Sequence, residues 1–508
     1  MAMALISSTG SDYGFMDTWG IDRTCYYAIN IESSDGFIWN YHDGGADGVT
    51  SGELASLNTD MFNFVGSYLG DATLVKVRAE QIAKGKEVSV YDLIFYPFDG
   101  IKDAGELELD YVMDGIDGFV TRSDWEPGAI YAGLMGGPNS AANGQLDSGN
   151  FIYHNKGIAW IMDLGSENPN LASYSASNTR YKHYRASADG QNVISMVSVS
   201  SASLAELSSG QALSGNGQIV NYYSNEFGSY AILDNKSAYL SKVITANRGV
   251  LLTNDRSTVV LQDEFSFQLI EMFIWVLHTQ AQIELSPDAR TAYLTKMSPD
   301  GEIYTLRISI VSQRKDFVFS VKEATENMLS STYAAATATG ATTEYSREGI
   351  KKLVIEGTLV SFDCAVVFEV LEPGSSEEPP VQYEWTEMNF WEPVESLETE
   401  SEVITTRPQA NRGDIRTGTV KADLIMDGDD PFSENLIALY KAITLVEYTL
   451  KTYKPETLDS TLATAYGDYT DIKKEYDRFL KFANGEIETA DAISQLLTGI
   501  QLEQAEEE

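Results

Sequence analysis

Cysteine, histidine and positive charge are all in short supply in this sequence of 508 residues. Two cysteines, Cys25 and Cys364, stand far apart. That excludes a disulfide framework and a thiolate metal site, though it leaves a single bridge between them open. Four histidines, His42, His154, His183 and His278, leave little material for a site built on paired imidazoles. Lys and Arg number 35 against 75 Asp and Glu, for a formal net charge of −40. Phosphate contacts are made by Lys and Arg, so a nucleic-acid partner or an anionic membrane surface is excluded as the main target. A local basic pocket for an anionic sugar is not. No apolar run reaches the length of a membrane span. The Walker loop, HExxH, Cys-x-x-Cys and the nucleophile elbow are absent. The opening residues, Met1 to Ser8, lack a charged n-region and a full apolar h-region, so as they stand they are not a signal peptide.

What remains is a chain that folds. It is 43% hydrophobic and 11% aromatic, and long enough for two or three domains with sizeable cores. Residues 1–110 read as mainly helical. Leu54, Leu57, Met61, Phe64, Val65 and Tyr68 recur at helical spacing up to Gly70, and Asp71 is placed to cap a second helix that ends at Gly85. Before them, Ser34 to Gly45 is an aromatic loop rich in turn residues, and its Asp43-Gly-Gly-Ala-Asp reads as a solvated acidic turn, like Asp427-Gly-Asp-Asp. From 111 to 372 the period changes to two. Short strands such as Val250-Leu-Leu, Ile303 to Ile310 and Leu353 to Val360 are divided by Asn, Asp, Gly and Ser, the pattern of an antiparallel sandwich. Ala334 to Thr343 reads as a small-residue surface loop. Residues 373–429 have the Pro and Glu composition of a linker, interrupted by Tyr383, Trp385, Phe390 and Trp391, so part of it is expected to lie against a neighbouring domain. Residues 430–508 read as three helices, a unit suited to packing or partner contact. The fold class is therefore α+β and multidomain.

Two stretches inside the sandwich could carry chemistry. One is the polar turn Asn143-Gly-Gln-Leu-Asp-Ser-Gly-Asn-Phe151. The other is Arg180-Tyr-Lys-His-Tyr-Arg185, a basic-aromatic cluster in a strongly acidic chain. Read as a strand, it puts Arg180, Lys182 and Tyr184 on one face and Tyr181, His183 and Arg185 on the other. The second face would suit an anionic sugar; a charge-balanced structural strand would look the same. His278, inside Ile274-Trp-Val-Leu-His-Thr279, reads as a satisfied core histidine.

These landmarks, taken in order, resemble a known family. Arg122-Ser-x-Trp125 is followed by Leu146-Asp-Ser-Gly-Asn-Phe151 and by Gly157-x-x-Trp160-x-x-Asp163-Leu-Gly165. Then come Tyr181-x-x-Tyr184-Arg185, Gly190-Gln-Asn192, Arg248-Gly-Val250 and Trp275-x-x-His278-Thr279. The set is similar to the C-terminal β-sandwich region of the heparinase II/III-like polysaccharide lyases, most specifically over residues 115 to 280. The resemblance implies that residues 1–110 are the last part of an α/α toroid and that 111–372 are the sandwich. It also implies β-elimination on a uronate-containing polysaccharide, and an extracellular or periplasmic setting. That reaction needs the uronate carboxylate neutralised, a base for the C5 proton and an acid for the leaving oxygen.

The site departs from the family pattern. The family turn reads His-x-His-x-Asp-x-Gly-x-Phe, the first histidine catalytic and the second a zinc ligand; here those positions are Asn143 and Gln145. Asp163 matches the metal-binding aspartate, and the third ligand position is Gln191. Two amides and a carboxylate are poor zinc ligands, so no zinc and no other cofactor is expected. An amide cannot serve as a general base, which leaves Tyr181, Tyr184 or Tyr174 for that role. Arg122, Arg180, His183 and Arg185 are the residues expected to bind substrate. The alternatives are a truncated piece of a larger lyase, a non-catalytic protein that binds acidic sugars, and a structural or assembly module. In each case the C-terminal helices could serve an oligomer or a protein partner.

Overall fold

The computed structural model describes residues 8–16, 20–44, 59–83, 85–95, 104–175, 179–197, 210–329, 343–373, 380–381 and 383–394, all within one compact unit, Met1–Gln409. The three-helix reading of 430–508 lies outside these residues. So do residues 395–429 of the acidic stretch and all but the last residue of the small-residue loop.

Four helices precede the sheets: α1 (Ile21–Asn30), α2 (Phe62–Leu69), α3 (Ala72–Ala83) and α4 (Val90–Phe95). The expected stop signals operate. Gly70 takes a positive φ of 73° at the end of α2, and the Asp71 carboxylate accepts the first-turn N–H groups of Thr73 and Leu74 at 3.0 and 3.3 Å. Phe62, Phe64, Val65 and Leu74 bury against Cys25 and Ile29 of α1. Arg78, fully buried on α3, is neutralised by Asp92 of α4 at 2.6 Å. No helix among the described residues is long and apolar enough to cross a membrane.

The rest is antiparallel sheet. The smaller sheet runs β1 (Tyr111–Met113), β2 (Gly118–Arg122), β3 (Tyr131–Met135), β5 (Phe151–Asn155) and β6 (Ile158–Ile161). The larger runs β12 (Gln282–Leu285), β13 (Thr291–Met297), β14 (Ile303–Val311), β16 (Lys351–Leu371), β11 (Thr258–Thr279), β10 (Val243–Thr253), β9 (Gly228–Asp234), β8 (Asn216–Asn225) and β4 (Gly137–Pro138). To it are added β7 (Ile194–Met196) on β11 and β15 (Ser320–Glu323) on β16. The two sheets face each other through aromatic side chains: Phe151 and Tyr153 of β5 each lie 5.3 Å from the Phe368 ring of β16. This is the antiparallel sandwich that the period-two pattern predicts. A helix-side tryptophan also reaches the small sheet. Trp39 packs over Gly133, where an added Cβ would sit 2.7 Å from its ring.

Three of the four aromatic residues of the acidic stretch lie on the sandwich, while Phe390 is exposed. Tyr383 and Trp385 pack on Val260, Ala365 and Val367, while Trp391 meets Tyr230 edge-on at 5.6 Å. Gln262 and Glu264 of β11 hold this segment by bonds to Thr386 O and the Met388 N–H at 2.8 and 2.7 Å. Cys25 and Cys364 are both buried and both free, so the open question of a bridge between them is answered in the negative.

Candidate functional site

The turn 143–151 is fixed from below by a buried ion pair. Arg248 on β10 stands opposite Asp263 on β11 and grips it with Nε and Nη2 at 2.7 and 3.0 Å. Its Nη1 donates to Gly149 O and Asn192 O, both at 2.7 Å, so one guanidinium ties the turn to the segment after residue 185. Asn192 continues the tie through Phe151 O and Met162 O at 2.8 and 2.9 Å. Gly149 has φ +90°, a backbone that L side chains rarely adopt.

Above this floor lie the three positions matched to the family's metal ligands. Gln191 Nε2 donates to Gln145 Oε1 at 2.7 Å, and Gln191 Oε1 accepts from Asn150 Nδ2 at 3.1 Å. Asn150 Nδ2 also donates to Asp163 at 2.5 Å, and Asp163 accepts the Gly165 N–H at 2.7 Å. Gln145 Nε2 is turned toward Asp43 and Gly165 O, both at 3.1 Å. The three side chains are thus satisfied by one another, by Asn150 and Asp43, and by the backbone of Gly165. The donor set does not fit zinc. Among the described residues no three His, Cys, Asp or Glu side chains are placed to hold a metal. Burial raises the Asp163 carboxyl to about 7, with Asp147 adding to the effect and the Gly165 N–H opposing it.

The loop after α1 closes over this network. His42, at φ +54°, donates its backbone N–H to Asp147 Oδ2 at 3.2 Å, and its Nδ1 lies 2.7 Å from the same oxygen. Its Nε2 makes no hydrogen bond among the described residues. Burial works to lower the imidazole, but the Asp147 charge and hydrogen bond outweigh it and hold His42 above its ordinary value. Next to it, Asp43 takes an ion pair from Arg180 at 2.5 Å and a hydrogen bond from the Tyr174 hydroxyl. The Arg180 guanidinium lies 4.2 Å over the Tyr174 ring and also holds Asn143 O and Gly144 O at 3.0 and 2.9 Å.

The basic-aromatic run is not a strand, and the two-face reading of it is corrected. Residues 180–190 form three successive 3₁₀ turns, Arg180–Lys182, Tyr184–Ala186 and Ala188–Gly190, preceded by a short helix, α5 (Ala172–Ser175). Local N–H groups find carbonyls three residues back, as from Ala186 to His183 O, and the Ser187 hydroxyl returns to Tyr184 O at 2.9 Å. Side chains therefore leave in several directions. Tyr184 is fully buried, its hydroxyl 2.8 Å from His278 Nε2, under the Arg347 guanidinium at 4.1 Å. His183 lies between Glu344 and Ser173, at 2.7 and 2.9 Å. Arg185 is turned inward to Leu164 O and Ser346 O. Arg122 makes none of its contacts with this network. It is buried between Trp125 at 4.0 Å and Tyr131, donates to Asn30 and Glu32, and thereby fastens α1 to β2.

The structure thus brings together Asn143, Gln145, Asp163, Tyr174, Arg180 and Gln191. Tyr181, half-buried, stands close enough to Asp147 and Asp43 that their charges add to burial in raising its phenol. Arg122, Tyr184 and Arg185 are each buried and bonded to other protein groups. His278 is the satisfied core histidine expected, its backbone N–H and Nδ1 both meeting Asn192 Oδ1. Two participants were hidden in the sequence: His42, inside the aromatic loop, and Asp43, read as a solvated turn. The signal available was a histidine and an aspartate side by side among Trp39, Asn40 and Tyr41; their partners lie more than a hundred residues away.

No protein-family model and no curated protein matches this sequence. Solved structures do. A heparinase III gene product superposes with a TM-score of 0.50 at 13% identity, covering 72% of this chain and 48% of its own. A heparan sulfate lyase of Pedobacter heparinus gives 0.48 at 13% identity, over 70% and 47%, and a second heparinase III gives 0.47 at 12%, over 73% and 51%. The chain spans about half the length of the structures it matches. In fold, it resembles heparinase III across nearly three quarters of its own residues.

Proposed function

We propose that the chain belongs to the machinery of a polysaccharide lyase acting on an acidic, uronate-containing polymer outside the cytoplasm. The observation that carries this reading is the fold likeness to a heparinase III, joined to a polar cluster at the turn that the sequence resemblance singles out. Fold alone does not assign chemistry, so the residues must supply it. Asn143 cannot titrate, and burial raises the phenols of Tyr174, Tyr181 and Tyr184. Raised phenols hold their protons, which suits an acid better than a base. His42 is the complementary group. Asp147 orients its Nδ1 side and leaves Nε2 to meet a substrate proton, the arrangement a general base requires. We assign His42 as base and Tyr181, the least buried of the three tyrosines, as acid to the leaving oxygen. Because Asp147 raises His42 and the base works uncharged, lyase activity should appear at higher pH than an ordinary imidazole would allow. No zinc enters the scheme.

A second reading rests on a specific observation. The guanidiniums of Arg122, Arg180 and Arg185 are each committed to protein partners, so none is placed to neutralise a uronate unaided. On that reading the chain binds acidic sugar without cleaving it. One experiment separates the two: the ultraviolet absorbance of the unsaturated uronate product is followed over a panel of acidic polysaccharides. The lyase reading expects product, lost by about 10²–10⁴-fold in His42→Gln. Calorimetric binding without product supports the second reading, and neither binding nor product refutes both.

A further inference from the structure

Apart from the His42 cluster, three side chains from distant segments meet in an order of their own. Ser173 on α5 lies with its Oγ 2.9 Å from His183 Nε2. The other ring nitrogen of His183, Nδ1, lies 2.7 Å from Glu344 Oε1. A carboxylate only accepts, so Nδ1 carries a proton, and in the neutral imidazole Nε2 is then the acceptor for the serine hydroxyl. Both distances fall in the range at which a base activates a nucleophile and a third group orients the base.

Each member is held in place. The His183 and Glu344 side chains are 5% and 6% exposed, a water-poor setting in which their hydrogen bond is strong. The segment bearing Glu344 is tied on both sides: Thr343 O accepts from Asn168 at 2.9 Å, and the Tyr345 N–H donates to Glu167 at 2.6 Å. Arg347, 4.0 Å from Glu344, is itself anchored to Ala324 O and Asn327 at 3.0 and 2.8 Å. The Tyr174 ring closes His183 from the side at 5.7 Å. Ser173 differs from its two partners. It is half-buried, between exposed Ala172 and buried Tyr174, whereas His183 and Glu344 are almost fully enclosed.

We propose that Ser173, His183 and Glu344 form an acyl-transfer site that hydrolyses esters of small acyl groups, independent of the lyase reading. Ser173 Oγ attacks the ester carbonyl carbon and its proton passes to His183 Nε2. The tetrahedral adduct collapses as the carbonyl carbon–alkoxy oxygen bond breaks, and His183 returns the proton to the departing alcohol. Water then attacks the acyl-serine along the same path, giving the free acid and restoring the hydroxyl. Glu344 is the positioning residue: it keeps the imidazole in the tautomer that can accept. Because Ser173 is only half-buried while its partners are enclosed, a small acyl group is the class of substrate the site is suited to.

The test uses the full chain with two probes, a fluorophosphonate and p-nitrophenyl acetate. The expected result is a single fluorophosphonate adduct, mapped by peptide mass spectrometry to Ser173. Acetate release should fall by about 10²–10⁴-fold in Ser173→Ala. Glu344→Gln should lower kcat with KM little changed. His183→Gln removes a buried ring and can unfold the segment, so the deciding measurements are acetate release by Ser173→Ala, a change at a half-exposed position, and the wild-type adduct. An adduct elsewhere, no adduct, or undiminished release by Ser173→Ala overturns the assignment. None of these readouts depends on uronate cleavage.

Discussion

Removing the guanidinium of Arg248 should destabilise the sandwich far more than an average core substitution. In Arg248→Met the chain length is kept, and four bonds go: two to Asp263, one to Gly149 O and one to Asn192 O. Asp263 remains at 1% side-chain exposure, its charge then met mainly by the Trp275 indole N–H at 2.9 Å. Breaking a buried pair from one side costs about 3–5 kcal/mol, because the surviving charge stays desolvated. The two released carbonyls add to this on the order of 1 kcal/mol each if water cannot reach them. Urea unfolding followed by tryptophan fluorescence reads the change as a shift in midpoint at constant slope. The paired change, Arg248→Met with Asp263→Leu, should be less destabilised than the sum of the singles by about 1–3 kcal/mol. A single variant within about 1 kcal/mol of wild type, or strict additivity, would refute the claim that Arg248 is the post on which the site's two loops stand.

Three further outcomes are expected. Asp163, raised to about 7 from 3.8, binds more protons when folded than when unfolded, so it makes stability fall as pH rises between those values. Asp163→Asn should remove that part of the slope, and thermal unfolding across the interval checks it. His154 has the opposite sign. It is fully buried with neither ring nitrogen hydrogen-bonded, and burial lowers it to about 3, so its contribution is lost as pH falls from 6.5. His154→Phe should abolish that acid loss and raise stability by about 1–3 kcal/mol at low pH, read by the same melts; an unchanged acid limb would count against it. Elemental analysis of the purified protein should find less than stoichiometric zinc, and a full equivalent bound at Gln145, Asp163 and Gln191 would contradict the hydrogen-bond geometry of that network.

Local pattern carried the architecture. Period-two alternation marked the strands, and Gly70 and Asp71 marked a helix boundary, because those signals act through neighbours along the chain. The Arg180–Arg185 run misled for the same reason. Its alternating charge and aromatic residues imitate a strand, while the decisive contacts, Tyr184 with His278 and His183 with Glu344, are tertiary. Arg122 shows a further limit. Its place in a matching motif suggested a substrate ligand, yet its Nη1 and Nη2 are turned to Asn30 and Glu32 of the helical segment. Asp43 looked like a solvated turn until Arg180 and Tyr174 were brought to it. Charge near a turn says little until the partner is known.

The pairing of β11 with β16 bears on how the protein is made. Val259 meets Phe368 at one end and Thr279 meets Lys351 at the other, with a bulge between Ser266 and Glu271. During synthesis from the N-terminus, the whole of β11 is complete long before its partner emerges, and it offers a long, largely apolar edge for wrong pairing. Both loops of the site lean on that strand, through Arg248–Asp263 and through β7. Non-local closure of this kind is slow. The polar turn network is therefore among the last parts of the molecule to form, and the yield of folded protein should depend on how well the nascent chain is shielded until residue 371 is free.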